Sequence, residues 1–226
     1  LYNRRTAAAY RFVKEQVGSG EIGRLLRATW LATFHFRGDA YYRSGTWRGT
    51  WELEGGGLLM TQAAHQLDLL QWICGSPEVV TACCRTVDRK IETENEATLL
   101  LRFPSGATGH FIASGHEMPG VNRLELAGTK GHIILEDDRF FTLRRLVTDS
   151  VDFSRESSDP FGKAGNTVYN REFPPEDDAA QHAATLQNFA DAVLYGAELV
   201  CPLEEGAASL KIILEAYRNT IPAKSW

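Results

Sequence analysis

The sequence lacks any long apolar run, and it also lacks a surplus of basic residues. Runs such as Ile133-Ile134-Leu135 are far shorter than the roughly 18 apolar residues that a membrane-spanning helix needs. The 24 Lys and Arg stand against 29 Asp and Glu, which gives a net charge of −5, and no basic run occurs. Nucleic-acid affinity comes chiefly from clustered Lys and Arg that neutralise phosphates. We therefore expect no nucleic-acid partner, no membrane partner and a cytoplasmic location.

Cysteine is scarce, and its spacing argues against a cross-linked or metal-stabilised fold. No C-x-x-C pair occurs, and no histidine has the spacing of a zinc site. The cysteines are Cys74, Cys83, Cys84 and Cys201. We expect free thiols in a reducing compartment, with no disulfide framework and no bound metal.

Hydrophobic periodicity predicts an α+β fold. Helical spacing of apolar residues predicts helices near 9–17, 57–73, 177–195 and 204–220. Alternating spacing predicts strands at 26–36, 79–87, 95–103, 107–114, 121–127, 132–136 and 139–146, and an edge strand at 166–173. Short links between strands favour antiparallel neighbours, and 148–165 is expected to be a polar surface loop. The prediction is a large, mainly antiparallel open β-sheet with helices packed on one face.

Such a sheet has a second face that must meet water, a partner domain or a second copy. Helices on one side only leave that face uncovered. We therefore expect a homo-oligomer that assembles through the open face of the sheet.

One motif suggests a cofactor site but stands in the wrong context. Residues 18–23 read Gly-Ser-Gly-Glu-Ile-Gly and fit G-x-G-x-x-G, with Asp39 at about the distance of a ribose-binding acid. In a dinucleotide fold these glycines follow a strand and open a helix, whereas here a helix precedes them and a strand follows. The motif therefore predicts a helix end and a tight turn, with no cofactor-binding residue in this chain.

The segment 37–54 is rich in aromatic and basic side chains. These are Tyr41, Tyr42, Trp47 and Trp51, together with Arg37, Arg43 and Arg48. Structureless loops of this length in compact domains are usually functional. Aromatic faces suit sugar rings, and guanidinium groups suit phosphate or carboxylate. The alternative is that the aromatic side chains only pack the loop onto the sheet.

A polar stripe is predicted on the helix that follows. The helix opens with Gly55, Gly56 and Gly57, which remove side chains where the backbone comes close to another group. Thr61, His65 and Asp68 then stand at i, i+4 and i+7 on one face. A histidine that points from such a stripe into a cleft is a candidate general base. The alternative is a core histidine whose hydrogen bonds are met by Asp68 or a backbone carbonyl.

These residues resemble a known oxidoreductase family. Residues 55–75, GGGLLMTQAAHQLDLLQWICG, are similar to the pattern G-G-G-x-L-x-D/N-x-G/A-x-H-x-x-D-L-x-x-W-x-x-G of the glucose-fructose oxidoreductase, inositol dehydrogenase and rhizopine-catabolism (Gfo/Idh/MocA) family. Residues 2–5, 20–23, 47–50, 103–107 and 202–217 agree with the family less specifically. The resemblance spans nearly the whole chain.

The resemblance implies a two-domain enzyme of which this chain is one part. The family has an N-terminal Rossmann domain that binds NAD or NADP, followed by an α+β domain that contacts substrate and builds oligomers. Residues 1–226 would be that C-terminal substrate-binding and oligomerisation domain. The family's phosphate-binding glycines and E-K-P lysine would lie upstream of Leu1. The chain alone is then expected to be inactive.

The resemblance also assigns roles to residues. His65 matches the catalytic histidine, which takes the proton from a sugar hydroxyl while the neighbouring C–H gives hydride to the nicotinamide. Thr61 stands where the family usually has Asp or Asn, so an orienting hydroxyl replaces a charge. Asp68 and the glycines 55–57 are expected to be structural. Candidates for substrate binding are Thr61, Tyr41, Trp47, Arg48 and Arg4.

Two functions follow for the full-length protein. The first is an NAD(P)-dependent dehydrogenase or reductase of a sugar, cyclitol or sugar nucleotide. The second is a relative that has lost its chemistry and keeps this domain for ligand sensing or subunit assembly, to which the threonine at position 61 points.

Overall fold

The computed structural model describes residues 2–221, which form one sheet with helices around it. The helices are a 3-10 helix at Asn3–Thr6 and α1 Ala8–Gly18, α2 Asp39–Arg43, α3 Trp51–Glu54, α4 Leu58–Thr61, α5 Ala64–Cys74, α6 Ser150–Glu156, α7 Asp178–Tyr195 and α8 Leu203–Arg218. The strands are β1 Leu25–Ala32, β2 Val79–Arg85, β3 Glu96–Arg102, β4 Thr108–Ser114, β5 Asn122–Gly128, β6 Gly131–Glu136, β7 Phe140–Leu146 and β8 Asn166–Glu172. Among these residues, no helix is long and apolar enough to cross a membrane.

The predicted α+β class and the open, mainly antiparallel sheet are confirmed. The strand order is β2-β3-β4-β1-β5-β6-β7-β8, and β1 with β4 is the parallel pair. The three short turns at 104–106, 128–131 and 137–138 join antiparallel neighbours as predicted, whereas β1 lies between β4 and β5. Their link passes the end of β1 so closely that a Cβ on Gly120, where φ is +75°, would lie 2.3 Å from the Thr33 carbonyl oxygen. Only glycine fits that crossing.

One face of the sheet forms the core. Alternate strand residues such as Trp30, Leu99, Phe111 and Leu126 are fully buried. Full burial of such side chains contributes roughly 1.5–3 kcal/mol each. Helices α4, α5 and α8 lie against this sheet, with α5 beside β1. The helix that carries His65 is therefore set on the rigid centre of the domain.

Among residues 2–221, none of the helices covers the opposite face of the sheet, as predicted. Leu100 is 53% exposed there, and Leu31, Ile112 and Ile134 are half-buried. Between them runs a chain of ion pairs, which are Arg27–Glu125 at 3.0 Å, Arg123–Glu125 at 2.7 Å and Arg123–Glu136 at 2.6 Å. This face mixes apolar and charged groups.

Several predicted boundaries are wrong. The strand expected at 26–36 ends at Ala32, and the loops expected at 37–54 and 148–165 contain the short helices α2, α3 and α6. The helix expected at 57–73 is two helices, because at Ala63 the backbone N–H donates to the Leu58 carbonyl, five residues back, at 2.8 Å. The glycine-rich segment 18–23 is a turn between α1 and β1, as predicted, and Gly20 and Gly23 have positive φ.

Candidate active site

His65 lies in the first turn of α5 and is half-buried. The Tyr2 ring meets its imidazole edge-on, with 5.7 Å between ring centroids. Its Nδ1 atom is buried and has no hydrogen-bond partner within residues 2–221. Burial lowers the pKa of His65, and the positive charge of Arg4 lowers it further. The ring is therefore neutral at neutral pH and retains an unshared electron pair that can accept a proton.

Asp68 has a different environment, three residues further along α5. Its carboxylate accepts two hydrogen bonds from the guanidinium of Arg5, both at 2.7 Å, and both side chains are almost completely buried. Arg5 also pairs with Glu205, and Gln71 donates to Asp68 at 3.3 Å. This bidentate pair ties the 3-10 helix at the start of the chain to α5 and α8.

Thr61 does not share a helix with His65, so the predicted continuous stripe is wrong. It ends α4, on the other side of the break at residues 62–63. Its side chain is exposed, and its hydroxyl donates to the Gly57 carbonyl at 2.8 Å. That bond closes the first turn of α4.

Two of the three glycines before α4 lie against Glu94 and Tyr217 of the same domain. A Cβ on Gly57 would lie 2.0 Å from the Glu94 carbonyl oxygen, and one on Gly56 would lie 2.6 Å from the Tyr217 hydroxyl. Gly55 adopts φ +78° and ends α3. The group that this backbone approaches is therefore the Glu94–Tyr217 pair.

Glu94 is a buried residue that the sequence analysis missed. Its carboxylate accepts hydrogen bonds from the backbone N–H of Gly57 at 3.1 Å and of Leu59 at 2.9 Å, and from the Tyr217 hydroxyl at 2.9 Å. The side chain is 4% exposed, and burial raises its pKa. These contacts satisfy the free N–H groups at the start of α4 and hold the helix in place.

The 37–54 segment brings three predicted substrate-binding residues together. The Arg48 guanidinium lies 4.1 Å from the Tyr41 ring centroid and 4.2 Å from that of Trp47. Gln62, at the α4–α5 break, donates to the Tyr41 hydroxyl at 3.0 Å. Trp47 is 43% exposed. The stack is thus anchored beside the start of the His65 helix and has one open aromatic face.

Arg4 lies apart from that stack. Its guanidinium donates to Asp138 at 2.8 Å and lines a cleft of about 410 Å³ with Tyr10, Phe140 and Asp178. A larger cleft of about 670 Å³ lies between α8 and β2 and contains none of the predicted residues. His65 lines neither of these two clefts. Arg4 acts on His65 through its charge.

His35 and Gln66 are two further buried polar residues near His65 that the sequence analysis did not single out. His35 is 8% exposed, and burial with the nearby charge of Arg37 lowers its pKa to about 4. The Gln66 amide is fully buried and, within residues 2–221, makes no hydrogen bond. No sequence signal separates them from ordinary polar residues.

Comparison with known proteins identifies the family. A family model described as GFO/IDH/MocA C-terminal domain matches residues 10–134. A solved structure of the WlbA dehydrogenase from Bordetella pertussis, in complex with NADH and UDP-GlcNAcA, is 25% identical with a TM-score of 0.74 and matches 97% of this chain and 59% of its own.

Two further solved structures share the fold. An oxidoreductase from Agrobacterium radiobacter, in complex with NAD+, L-tartaric acid and magnesium, is 19% identical with a TM-score of 0.73 and matches 96% of this chain and 60% of its own. Levoglucosan dehydrogenase, in complex with NADH and levoglucosan, is 19% identical with a TM-score of 0.71 and matches 97% and 63%. The chain thus spans about three-fifths of the length of these relatives. It belongs to the GFO/IDH/MocA C-terminal domain family.

Proposed function

We propose that this chain is the C-terminal, substrate-binding domain of an NAD(P)-dependent oxidoreductase. The substrate class is a sugar, cyclitol or sugar nucleotide, and the reaction moves hydride between a carbinol carbon and the nicotinamide. Support comes from the family membership and from relatives solved with NADH together with UDP-GlcNAcA or levoglucosan. The observation that carries the proposal is the half-buried, neutral His65 imidazole, whose buried Nδ1 leaves Nε2 as the ring nitrogen proposed to meet the substrate.

The described residues do not fit a nicotinamide nucleotide by themselves. The glycine turn at 18–23 joins a helix to a strand, which is the reverse of the strand-to-helix order that presents a helix N-terminus to a pyrophosphate. The nucleotide is therefore assigned to a Rossmann domain in the remainder of the full-length protein. The contribution of this chain is to bind the sugar and to handle its proton.

His65 is the proposed catalytic residue. In the oxidation direction, the substrate hydroxyl loses its proton to the neutral imidazole as the carbinol C–H bond breaks and the C=O bond forms. The positive charge of Arg4 disfavours the imidazolium, so the proton is released readily once the carbonyl has formed. Glu94 acts on His65 only through the backbone, by holding the start of α4.

Substrate contacts are proposed for Tyr41, Trp47, Arg48, Thr61 and Arg4. The exposed Trp47 face suits a sugar ring, and the stacked Arg48 guanidinium suits an anionic substituent. Thr61 is exposed beside the α4–α5 break, so its hydroxyl oxygen can still accept a hydrogen bond from the substrate. Asp68 and the three glycines are proposed to be structural.

The open sheet face is proposed to bind a second copy. An isologous contact needs a surface that is complementary to itself. Arg27 and Arg123 alternate with Glu125 and Glu136 there, so both signs of charge are available to a copy related by twofold symmetry.

The test is His65→Ala in the full-length protein. Turnover of a panel of sugars and sugar nucleotides with NAD(P)+ should fall roughly 10²-fold or more, with little change in NAD(P)H affinity measured by fluorescence titration. His116→Ala, which removes an imidazole that pairs with Glu96 at 2.6 Å two residues after β4, is the matched control and should leave turnover unchanged. We expect the isolated chain to be inactive in the same assay.

Two results would contradict the proposal. Unchanged turnover in His65→Ala removes His65 from the mechanism. Wild-type protein that binds a sugar ligand but turns over no member of the panel favours the alternative, a sensing or assembly module, to which the threonine at position 61 points.

A further inference from the structure

Tyr2 lies between His65 and helix α8. Its ring meets the imidazole at an angle of 84°, with 5.7 Å between the ring centroids. Aromatic pairs favour such edge-to-face arrangements at centroid distances of roughly 4.5–7 Å. Tyr2 is half-buried and stands directly before the 3-10 helix, outside α5. The His65 ring is therefore in contact with a residue that its own helix does not supply.

Helix α8 holds the Tyr2 ring at its other end. The Ser209 hydroxyl bonds the Tyr2 hydroxyl at 2.7 Å and the Gly206 carbonyl at 2.8 Å, and Ser209 is fully buried. A Cβ on Gly206 would lie 3.6 Å from Cε2 of Tyr2, so the ring lies directly on this turn of α8. A buried tyrosine hydroxyl with a partner has a fixed direction. The position of the Tyr2 ring is thus set by α8.

The polar neighbours of His65 in the motif do not orient its ring. Both carboxylate oxygens of Asp68 bond Arg5, and the Thr61 hydroxyl donates to the Gly57 carbonyl. Among residues 2–221, no hydrogen bond to the His65 side chain occurs, and its Nδ1 is buried without a partner. A histidine that moves protons is usually oriented by a hydrogen bond to its other ring nitrogen. Here a packing contact takes that place.

We propose that Tyr2 is a positioning residue, which sets the orientation of the His65 ring through their edge-to-face contact and is itself anchored by Ser209. This inference rests on the proposed function, because that function gives the substrate proton to His65. A displacement of about 1 Å between reacting groups can cost 10²-fold in rate. The direction in which Nε2 faces is therefore determined from α8, through Tyr2.

The experiment compares Tyr2→Leu, which removes the ring, with Tyr2→Phe, which keeps it, in the full-length protein. With Tyr2→Leu, kcat for the sugar panel should fall about 10-fold or more, with a smaller change in KM, because the imidazole is misaligned while the substrate still binds. Tyr2→Phe should restore most of kcat. Tyr169→Leu, which removes a ring that packs on Phe12 and Phe141, is the matched control and should leave kcat unchanged.

A second readout needs no turnover. Diethyl pyrocarbonate acylates neutral imidazole, and peptide mass spectrometry gives the rate at His65 as a function of pH. The groups whose charge acts on this ring, Arg4, Asp68 and His182, are the same in each variant. Burial lowers the pKa of His65, so Tyr2→Leu should speed acylation and raise that pKa towards 6.5. Tyr2→Phe and Ser209→Ala, which remove only the anchor, should give equal and intermediate rates.

Three results would overturn the inference. In the first, Tyr2→Leu matches the wild type in kcat and in acylation rate. In the second, Tyr2→Phe is as impaired as Tyr2→Leu, so that the ring itself has no effect. Where Tyr2→Leu does not fold, a wild-type acylation rate in Ser209→Ala is the third. A full-length protein that turns over no sugar contradicts the proposed function instead, and the acylation rates still show whether Tyr2 holds the ring.

Discussion

His65 and Asp68 lie three residues apart on α5, yet their environments are opposite. Asp68 is buried with both carboxylate oxygens bonded to Arg5, whereas His65 is half-buried and, within residues 2–221, its buried Nδ1 has no partner. A buried polar group with all its partners contributes to a specific structure, whereas the half-buried ring of His65 can still bond another molecule through its second nitrogen, Nε2. The comparison therefore distinguishes Asp68, which stabilises the domain, from His65, which is available for chemistry.

The segment that makes this difference is the 3-10 helix at the start of the chain. Arg5 reaches Asp68 from it, and Tyr2 places only the edge of an aromatic ring against His65. Arg4, between them, bonds Asp138 and affects His65 only through its charge. Because of Tyr2, Arg4 and Arg5, the hydrogen bonds of Asp68 are complete, whereas His65 makes none within residues 2–221.

The largest effect is expected from Asp68→Ala. The change leaves Arg5 buried without its bidentate partner, so the free energy of unfolding should fall by about 3–5 kcal/mol. The measurement is urea unfolding of the full-length protein, followed by tryptophan fluorescence. Asp152→Ala, an exposed carboxylate in α6 paired with Arg155 at 3.7 Å, is the control and should change little. Equal effects of the two changes would refute the structural role of Asp68.

A smaller loss of unfolding free energy is expected from Gly57→Ala, a change in the segment before helix α5. The new Cβ would meet the Glu94 carbonyl oxygen at 2.0 Å, which the backbone can relieve only by moving α4. We expect a loss of about 3 kcal/mol in unfolding free energy. Gly55→Ala meets open space but keeps a positive φ, so it should cost about 1 kcal/mol. The reverse order in thermal melts would contradict the close contact with Glu94.

The smallest effect concerns pH. His65 must be neutral to accept a proton, so kcat/KM should fall as the pH drops through its pKa, which burial and Arg4 hold below the usual 6.5. Arg4→Gln removes a positive charge, so the pKa should rise and the acid limb of the profile should move to higher pH by a fraction of a unit. Arg43→Gln, an exposed change in α2, is the control. A shift to lower pH would show that Arg4 does not act on His65 through its charge.

The stability of the folded protein should depend on pH in the same direction. Because the pKa of His65 is lowered in the folded protein, its contribution to stability is complete above about 6.5, the unfolded value. That contribution is lost as the pH falls through the folded value. His35, with a folded pKa of about 4, follows the same direction over a wider range.

Strands and long helices could be predicted from periodicity because each buries one face. The strand predicted at 95–103 is one residue too long at each end compared with Glu96–Arg102. The strand predicted at 139–146 starts one residue too early compared with Phe140–Leu146. Helices α2, α3 and α6 were missed because four to seven residues are too few for periodicity or propensity to register.

The candidate site could likewise be predicted only in part. The motif identified His65, Asp68 and the three glycines as a group, because those residues are close in sequence. It could not identify Arg5, Glu94 or Tyr217 as their partners, which lie 63, 37 and 160 residues away from the groups they bond. Such pairs leave no mark on local periodicity.

The sequence by itself determined the class of fold, the family and the position of the imidazole, because alternation, helical spacing and a contiguous motif are local properties of the chain. The tertiary structure decided that the hydrogen bonds of Asp68 are complete, that Glu94 and Tyr217 require Gly57 and Gly56, and that β1 lies between β4 and β5. Each of these depends on which distant groups are brought within hydrogen-bonding or van der Waals distance, and only the folded chain specifies those distances.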